Sequence, residues 1–301
     1  MRVVDSHLHL WDPEVLTYRW LEGELDTAYA AEQLLDDRIE DVEEQFAIFV
    51  QADPVEKQTI DEVRWVSSIA PETGVVAIVA GARLDRGRKT LAHLDELAAF
   101  ERVVGVRHLL QGEKDGFART PKFIEGARAV ASRGWTFDAC VRDHQIPDVT
   151  ALTEAVPDLR IVLDHLGKPA VGTDDAPLRP TAEWRRDIAD LARHPQVHVK
   201  LSGLPAEAGG RWDEDQLEPF LDVVADAFGE DRLMWGSDWP VSAMHASDEG
   251  GEDFFMEGVR DDWCHTIAQW ATDRGLEVDK LLWRNALAFY GIRRPAPGVA
   301  S

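Results

Sequence analysis

Val3-Val4-Asp5-Ser6-His7-Leu8-His9-Leu10 is the stretch on which the reading of the fold turns. Its apolar residues are valine and leucine, and its histidines recur two apart, the period at which strand side chains return to one face. His7 and His9 are therefore expected to project to the same side of a strand, with Asp5 below them. Two imidazoles so placed can grip one divalent ion or one anionic oxygen. The chain then repeats strand and helix to its end, which puts this strand at the mouth of a barrel and makes the protein an enzyme candidate.

Working outward, apolar runs bounded by turn or polar residues recur at 2–10, 46–52, 75–82, 103–109, 135–141, 160–165, 197–201 and 233–235. Several are unbroken Val/Ile/Leu stretches, as parallel strands covered on both faces require. Between them, apolar residues three and four apart predict helices over 31–45, 91–100, 123–133, 184–193 and 217–228. Eight strands alternating with helices predict an α/β fold, a closed (β/α)8 TIM barrel. No linker, low-complexity tract or internal repeat divides the chain, so one domain over 1–301 is expected. The acidic, glycine-bearing stretch 244–258 reads equally as a solvated loop or as a lid. The run 283–291 reads as a last amphipathic helix closed by Gly291.

The 301 residues carry 32 Lys and Arg against 56 Asp and Glu, a net charge of −24. So acidic a surface argues against nucleic acid and anionic membranes as partners, both of which need cationic patches. It leaves open an anionic substrate, because a pocket can hold cations of its own. The two cysteines, Cys140 and Cys264, are too few for a disulfide framework and fit a reducing compartment. No basic-then-apolar leader precedes the first strand and no apolar run is long enough to span a bilayer, so a cytoplasmic protein is expected.

Chemistry in such barrels sits at the carboxyl ends of the strands. Those ends offer His7, His9 and Trp11, then Arg107-His108, then Asp138 followed by Arg142-Asp143-His144-Gln145. Asp164-His165-Leu166-Gly167-Lys168-Pro169, then Lys200 and Ser202, then Gly236-Ser237-Asp238-Trp239-Pro240 complete the rim. Taken singly, His165 reads as a core histidine, Asp238 as a helix N-cap and the tryptophans as packing. Together His7, His9, His165 and Asp238 predict a functional site on one rim.

These segments resemble the amidohydrolase superfamily, and within it the amidohydrolase-2 group of lactone hydrolases. The likeness is carried by Asp5-Ser6-His7-Leu8-His9, Val162-Leu163-Asp164-His165-Leu166-Gly167-Lys168-Pro169 and Lys200-Leu201-Ser202-Gly203-Leu204. Met234-Trp235-Gly236-Ser237-Asp238-Trp239-Pro240, Asn285-Ala286 and Phe289-Tyr290-Gly291 complete it. The resemblance implies a (β/α)8 barrel that opens a cyclic ester, such as a sugar lactone (fuconolactone, rhamnonolactone) or pyrone dicarboxylate. Binuclear members of the wider superfamily need a bridging lysine or carboxylate on strand four and a histidine on strand five. Here Arg107-His108 and Asp138 stand in those strands, so a second metal lacks its cage.

One divalent ion is the cofactor expected, held by His7, His9 and Asp238 or His165, with a position open for water. Zinc suits these donors best, and the alternative is no metal at all. Asp238 is expected as general base toward water, with His165 beside it binding the ion or the oxyanion. Arg107 and His108 are candidates for lactone oxygens or a ring carboxylate. His144, Gln145 and Lys200 are candidates for hydroxyls, and Trp11, Trp212 and Trp239 for stacking on a sugar face. The partner expected is a small-molecule lactone, with homo-oligomerisation left open. The rival readings are a metal-dependent non-oxidative decarboxylase with the same residue set and a catalytically silent small-molecule binder.

Overall fold

Valine, isoleucine and alanine dominate the strands because both strand faces are buried, one on the barrel axis and one against the helices. In the computed structural model, which describes residues 1–245 and 254–293, eight parallel strands stand in chain order. They are β1 Arg2–Leu8, β2 Glu44–Val50, β3 Val75–Gly81, β4 Val103–Leu109, β5 Thr136–Cys140, β6 Arg160–Leu163, β7 Val197–Leu201 and β8 Leu233–Trp235. The ring is joined between β8 and β1 without a regular ladder. Ser6 Oγ donates to Trp235 O at 2.6 Å, Asp238 N to His7 O at 2.8 Å and His9 N to Trp239 O at 2.9 Å. The expected TIM barrel is the fold observed.

Two apolar layers hold it. The larger packs the outer strand faces against the helices. The smaller fills the barrel's lower interior with Val4, Ile48, Val50, Ala77, Val79, Val162 and Met234, and Trp283, Ala286, Phe289 and Tyr290 rise into it from the chain's last described helical segments. These are a π-helical turn, Lys280–Arg284, and the helix Asn285–Tyr290, closed as expected by Gly291. Asn285 Nδ2 pins them under β8 by donating to Glu230 O and Leu233 O, each at 2.7 Å.

Three details differ from the reading by pattern. First, β1 carries a bulge: Asp5 pairs with Ala47 and Leu8 with Phe49, three residues against two. The extra residue shifts the alternation, so Val3 and Leu8 both belong to the outer layer although five apart. His7 and His9 still face inward, but Asp5 does not lie below them. Its carboxylate accepts from Ser237 N (2.9 Å), Ser237 Oγ (2.6 Å) and Arg260 Nε (3.1 Å), and so ties β1 to the loop after β8 and to the helix Val259–Asp273.

Second, the helix expected over 31–45 stops at Asp36. The Asp37 carboxylate is drawn to Trp239 Nε1 (2.6 Å) and Gly258 N (2.7 Å), contacts more than two hundred residues away that outweigh local propensity. Third, 244–258 is not all loop. Met244–His245 pairs with Phe254–Phe255 as an antiparallel ribbon, and residues 246–253, on which the lid reading rests, lie outside the described residues. Cys140 and Cys264 are free and buried. Among the described residues no helix is long and apolar enough to cross a membrane.

One buried acid makes stability depend on pH. Glu62, on the helix Thr59–Thr73, accepts from Ala52 N at 2.9 Å through one oxygen, while the other is enclosed without a partner. Burial pushes its carboxyl up to about 8. The folded chain therefore keeps a proton that the unfolded chain releases from about pH 4.5 upward, so this group's contribution falls as pH rises toward 8. Glu62→Gln keeps the acceptor and removes the titration. It is expected to flatten the decline in urea-unfolding free energy between pH 5 and 8, where a proton retained only by the folded chain costs about 1.4 kcal/mol for each step of one in pH. A variant whose stability falls as steeply as the parent's over that range would contradict the assignment.

Candidate active site

The site sits where strands end and the backbone turns into conformations side chains seldom adopt. His165 follows β6 at φ 53° and Asp238 follows β8 at φ 57°, both left-handed, a strain that persists only where surrounding contacts fix it. Two glycines make room. A Cβ on Gly203 (φ 69°) would stand 2.4 Å from His165 Nδ1, and one on Gly236 would stand 2.7 Å from His7 Cβ.

Four residues from three stretches of the chain meet there. Asp238 Oδ1 lies 3.4 Å from His9 Nε2, 3.6 Å from His7 Nε2 and 3.7 Å from His165 Nε2, and the two strand-one imidazoles are 3.1 Å apart. All four are at most 5% exposed. Each is held from behind. His9 Nδ1 donates to Val50 O at 2.8 Å, leaving Nε2 free to act as a ligand or acceptor. His165 Nδ1 is 2.9 Å from Ser202 Oγ, and Ser242 Oγ donates to Asp238 Oδ2 at 3.1 Å.

A charged array lies beneath. Lys200 Nζ reaches Asp138 Oδ2 (2.6 Å), His7 Nδ1 (3.0 Å) and Asp164 Oδ1 (3.1 Å), and Asp164 Oδ1 is itself 3.3 Å from His7 Nδ1. Tyr290, from the helix under the barrel, donates its hydroxyl to Asp138 Oδ2 at 2.8 Å. Arg107 closes the other side, with Nη1 3.3 Å from His7 Nε2 and 3.7 Å from Asp164 Oδ2, and Nη2 donating to Gln51 O at 2.5 Å.

Burial and these neighbours set the protonation states. Burial, with Lys200 beside it, holds His7 well below the ordinary imidazole value, and burial also lowers His9. Burial brings His165 down to about 4 against the pull of Asp238. Burial pushes Asp238 upward, but His165, the hydrogen bond from His9, and His7 outweigh it and hold the carboxyl well below the usual range. At neutral pH the site is thus one carboxylate among three neutral imidazoles.

That donor set fits a divalent ion. Tetrahedral ligands about 2.0–2.1 Å from zinc stand roughly 3.3–3.4 Å from one another, and the His7, His9 and Asp238 donor atoms are 3.1, 3.4 and 3.6 Å apart. His7, Asp164 and His165 form a second close group that shares His7. His7 Nδ1 faces Lys200 Nζ at 3.0 Å and Asp164 Oδ1 at 3.3 Å, so Nε2 is the nitrogen turned toward the first group.

The other residues singled out from sequence fall elsewhere. Arg107 touches the imidazole cluster at His7 and, with His108, lines an open cavity. Lys200 is fully buried beneath His7, out of reach of solvent. His108 faces the helix layer, against Phe117 and Phe123, because β3–β4 pairing shifts near Val103; Leu84 N (3.3 Å) and Glu113 Oε1 (3.4 Å) meet its ring nitrogens. Gln145 spends its amide on Leu110 O, Glu113 O and Arg142 N. His144 is half exposed on the rim beside Asp143 and Asp115. Trp11 donates to Leu25 O and Thr27 O, Trp239 to Asp37, and Trp212 packs edge-on to Trp263. The tryptophans and Gln145 are therefore engaged with protein partners. Tyr290 carries no local sign of its role, because it reaches Asp138 from 152 residues away.

Comparison with known proteins agrees with this geometry. The amidohydrolase family model (Amidohydro_2) matches residues 4–292. L-fucono-1,5-lactonase of Burkholderia ambifaria is 32% identical, covering 97% of this chain and 97% of that protein. L-fucono-1,5-lactonase of Burkholderia multivorans is 30% identical, again over 97% of each. A crystal structure of an amidohydrolase from Burkholderia multivorans with bound zinc superposes with a TM-score of 0.78 at 30% identity, over 97% of this chain and 100% of that one. With the barrel, the paired histidines of β1 and a matching model over nearly its whole length, the chain belongs to the amidohydrolase family.

Proposed function

We propose that this protein is a lactonase: it hydrolyses the cyclic ester of a sugar or related carboxylic lactone, within a single barrel domain over 1–301. The observation that carries the reading is the Asp238 carboxylate, one oxygen of which lies 3.4–3.7 Å from three imidazoles at the barrel mouth. Similarity to L-fucono-1,5-lactonases supports the choice of ester.

Ring opening needs a proton taken from water, stabilisation of the tetrahedral oxyanion and a proton for the departing ring oxygen. Asp238 Oδ1 takes the first proton and returns it to the ring oxygen, so no proton is lost between steps. Arg107, buried and fixed by Gln51 O, supplies positive charge next to the imidazoles where the oxyanion develops. His165, held by Ser202 and kept neutral by burial, orients the water or the carbonyl. A zinc ion on His7, His9 and Asp238 would acidify its water and polarise the carbonyl.

The test is a pH-indicator screen of fuconolactone, rhamnonolactone and aromatic lactones on protein prepared with and without chelator. Acid release that chelation abolishes and zinc restores is expected. Acid release untouched by chelation would keep the lactonase reading and remove the metal. Carbon dioxide evolved in place of acid, or tight sugar binding with no turnover, would overturn it.

A further inference from the structure

Packing alone would call for phenylalanine at the end of the last described helix. Trp283, Ala286, Phe289 and Tyr290 enter an apolar layer built from Val4, Ile48, Val79, Val162 and Met234 among others. Phe289 meets that demand with a bare ring, whereas Tyr290, 3% exposed, brings a hydroxyl into the same layer. A buried phenol needs a partner, and this one donates to Asp138 Oδ2 at 2.8 Å. Gly291, at φ 67°, ends the helix just after it, and Ile292 N returns to Leu287 O at 2.9 Å. Tyr290 therefore stands on a closed turn with little freedom to retreat.

From that hydroxyl a line of contacts leads to the imidazole cluster. Asp138 Oδ2 also accepts from Lys200 Nζ at 2.6 Å, while Asp138 Oδ1 is enclosed without a partner. One oxygen thus carries both tethers of the carboxylate, and the phenol is one of the two. Lys200 Nζ also faces Asp164 Oδ1 (3.1 Å) and His7 Nδ1 (3.0 Å). Across the ring, His7 Nε2 meets His9 Nε2 (3.1 Å) and Asp238 Oδ1 (3.6 Å). Asp138, Asp164, Lys200 and His7 are each 0% exposed, so bulk water cannot take over a contact that is lost.

We infer that Tyr290 is a positioning residue: by fixing Asp138 it sets Lys200 against His7 and holds the His7 ring facing Asp238, from the opposite end of the barrel. The inference rests on the lactonase reading for its effect on rate, and adds to it a residue remote from the reacting atoms.

Tyr290→Phe keeps the ring, whose centroid lies 5.7 Å from Lys200 Nζ, and removes only the hydroxyl. On a lactone that the parent opens, kcat per folded molecule should fall about tenfold with KM little changed, the low end of what outer partners of a site contribute. Phe289→Leu is the control. It disturbs the same helix and layer without touching Asp138, so it should lower the urea-unfolding free energy and leave kcat per folded molecule as in the parent. In an Asp138→Asn background Tyr290→Phe should add little further loss, because both act through one contact. The ring NMR signals of His7, assigned through His7→Gln, need no turnover. They should move in Tyr290→Phe while those of half-exposed His144 stay. Such movement supports the inference even if no lactone is opened, in which case the lactonase reading alone fails. Unmoved His7 signals, an unchanged kcat on an opened lactone, an equal loss in Phe289→Leu or a full further loss in Asp138→Asn would each overturn the inference without touching the lactonase reading.

Discussion

Asp238→Asn is expected to lower kcat by about 10²–10⁴-fold, the range by which a positioned acid or base speeds proton transfer, equal to roughly 2.7–5.5 kcal/mol of barrier. The amide keeps the size of the side chain and its contact with Ser242, so the barrel should fold with little change. What it loses is the ionised oxygen 3.4–3.7 Å from the three imidazoles. Steady-state rates on the best lactone from the screen, with KM compared, check it. A variant that retains nearly the parent's turnover would remove Asp238 as the base. Because the surrounding imidazoles hold this carboxyl well below its usual range, the parent's rate should not fall on an acidic limb near pH 5 through protonation of Asp238.

Lys200→Met is expected to be the most destabilising single change in the barrel interior. It removes the cation that Asp138 and Asp164 share, both fully buried. Breaking a buried pair by removing one partner costs about 3–5 kcal/mol, since the remaining charge has neither water nor counterion. The loss should grow with pH. In the parent, burial pushes Asp138 up to about 6 although Lys200 pulls it down, whereas Lys200 and His7 overcome burial and hold Asp164 well below its ordinary value. Without Lys200 both carboxyls move upward in the folded state. The variant then retains protons that its unfolded chain gives up above about pH 4, and each further step in pH costs stability. Urea unfolding at pH 5 and pH 8 reads both effects. Equal stability of parent and variant at pH 8 would show that the lysine is not the counterion. Adding Asp138→Asn should restore part of the loss.

The barrel is legible in the sequence because each strand is short, apolar on both faces and set off by turns, and strand-to-helix alternation admits few topologies. The meeting of His7, His9, His165 and Asp238 follows from one rule, that strand ends share a rim. What is not legible depends on register and on distant partners. A one-residue bulge at Ser6–His7 turns Asp5 away from the histidines, and composition carries no sign of it. The helix begun at Ala31 has the pattern to run on, but Asp37 is claimed by Trp239 and Gly258. Lys200 reads from its strand position as facing the barrel mouth, yet its role as a buried counterion is hidden, since its two acids lie on β5 and just past β6.

The ring is joined by its first and eighth strands and stoppered from below by Tyr290. His7 and His9 on the first strand therefore depend on an acid that follows the eighth and on charges completed from below by Tyr290. The cluster exists only once the two distant ends of the barrel have come together.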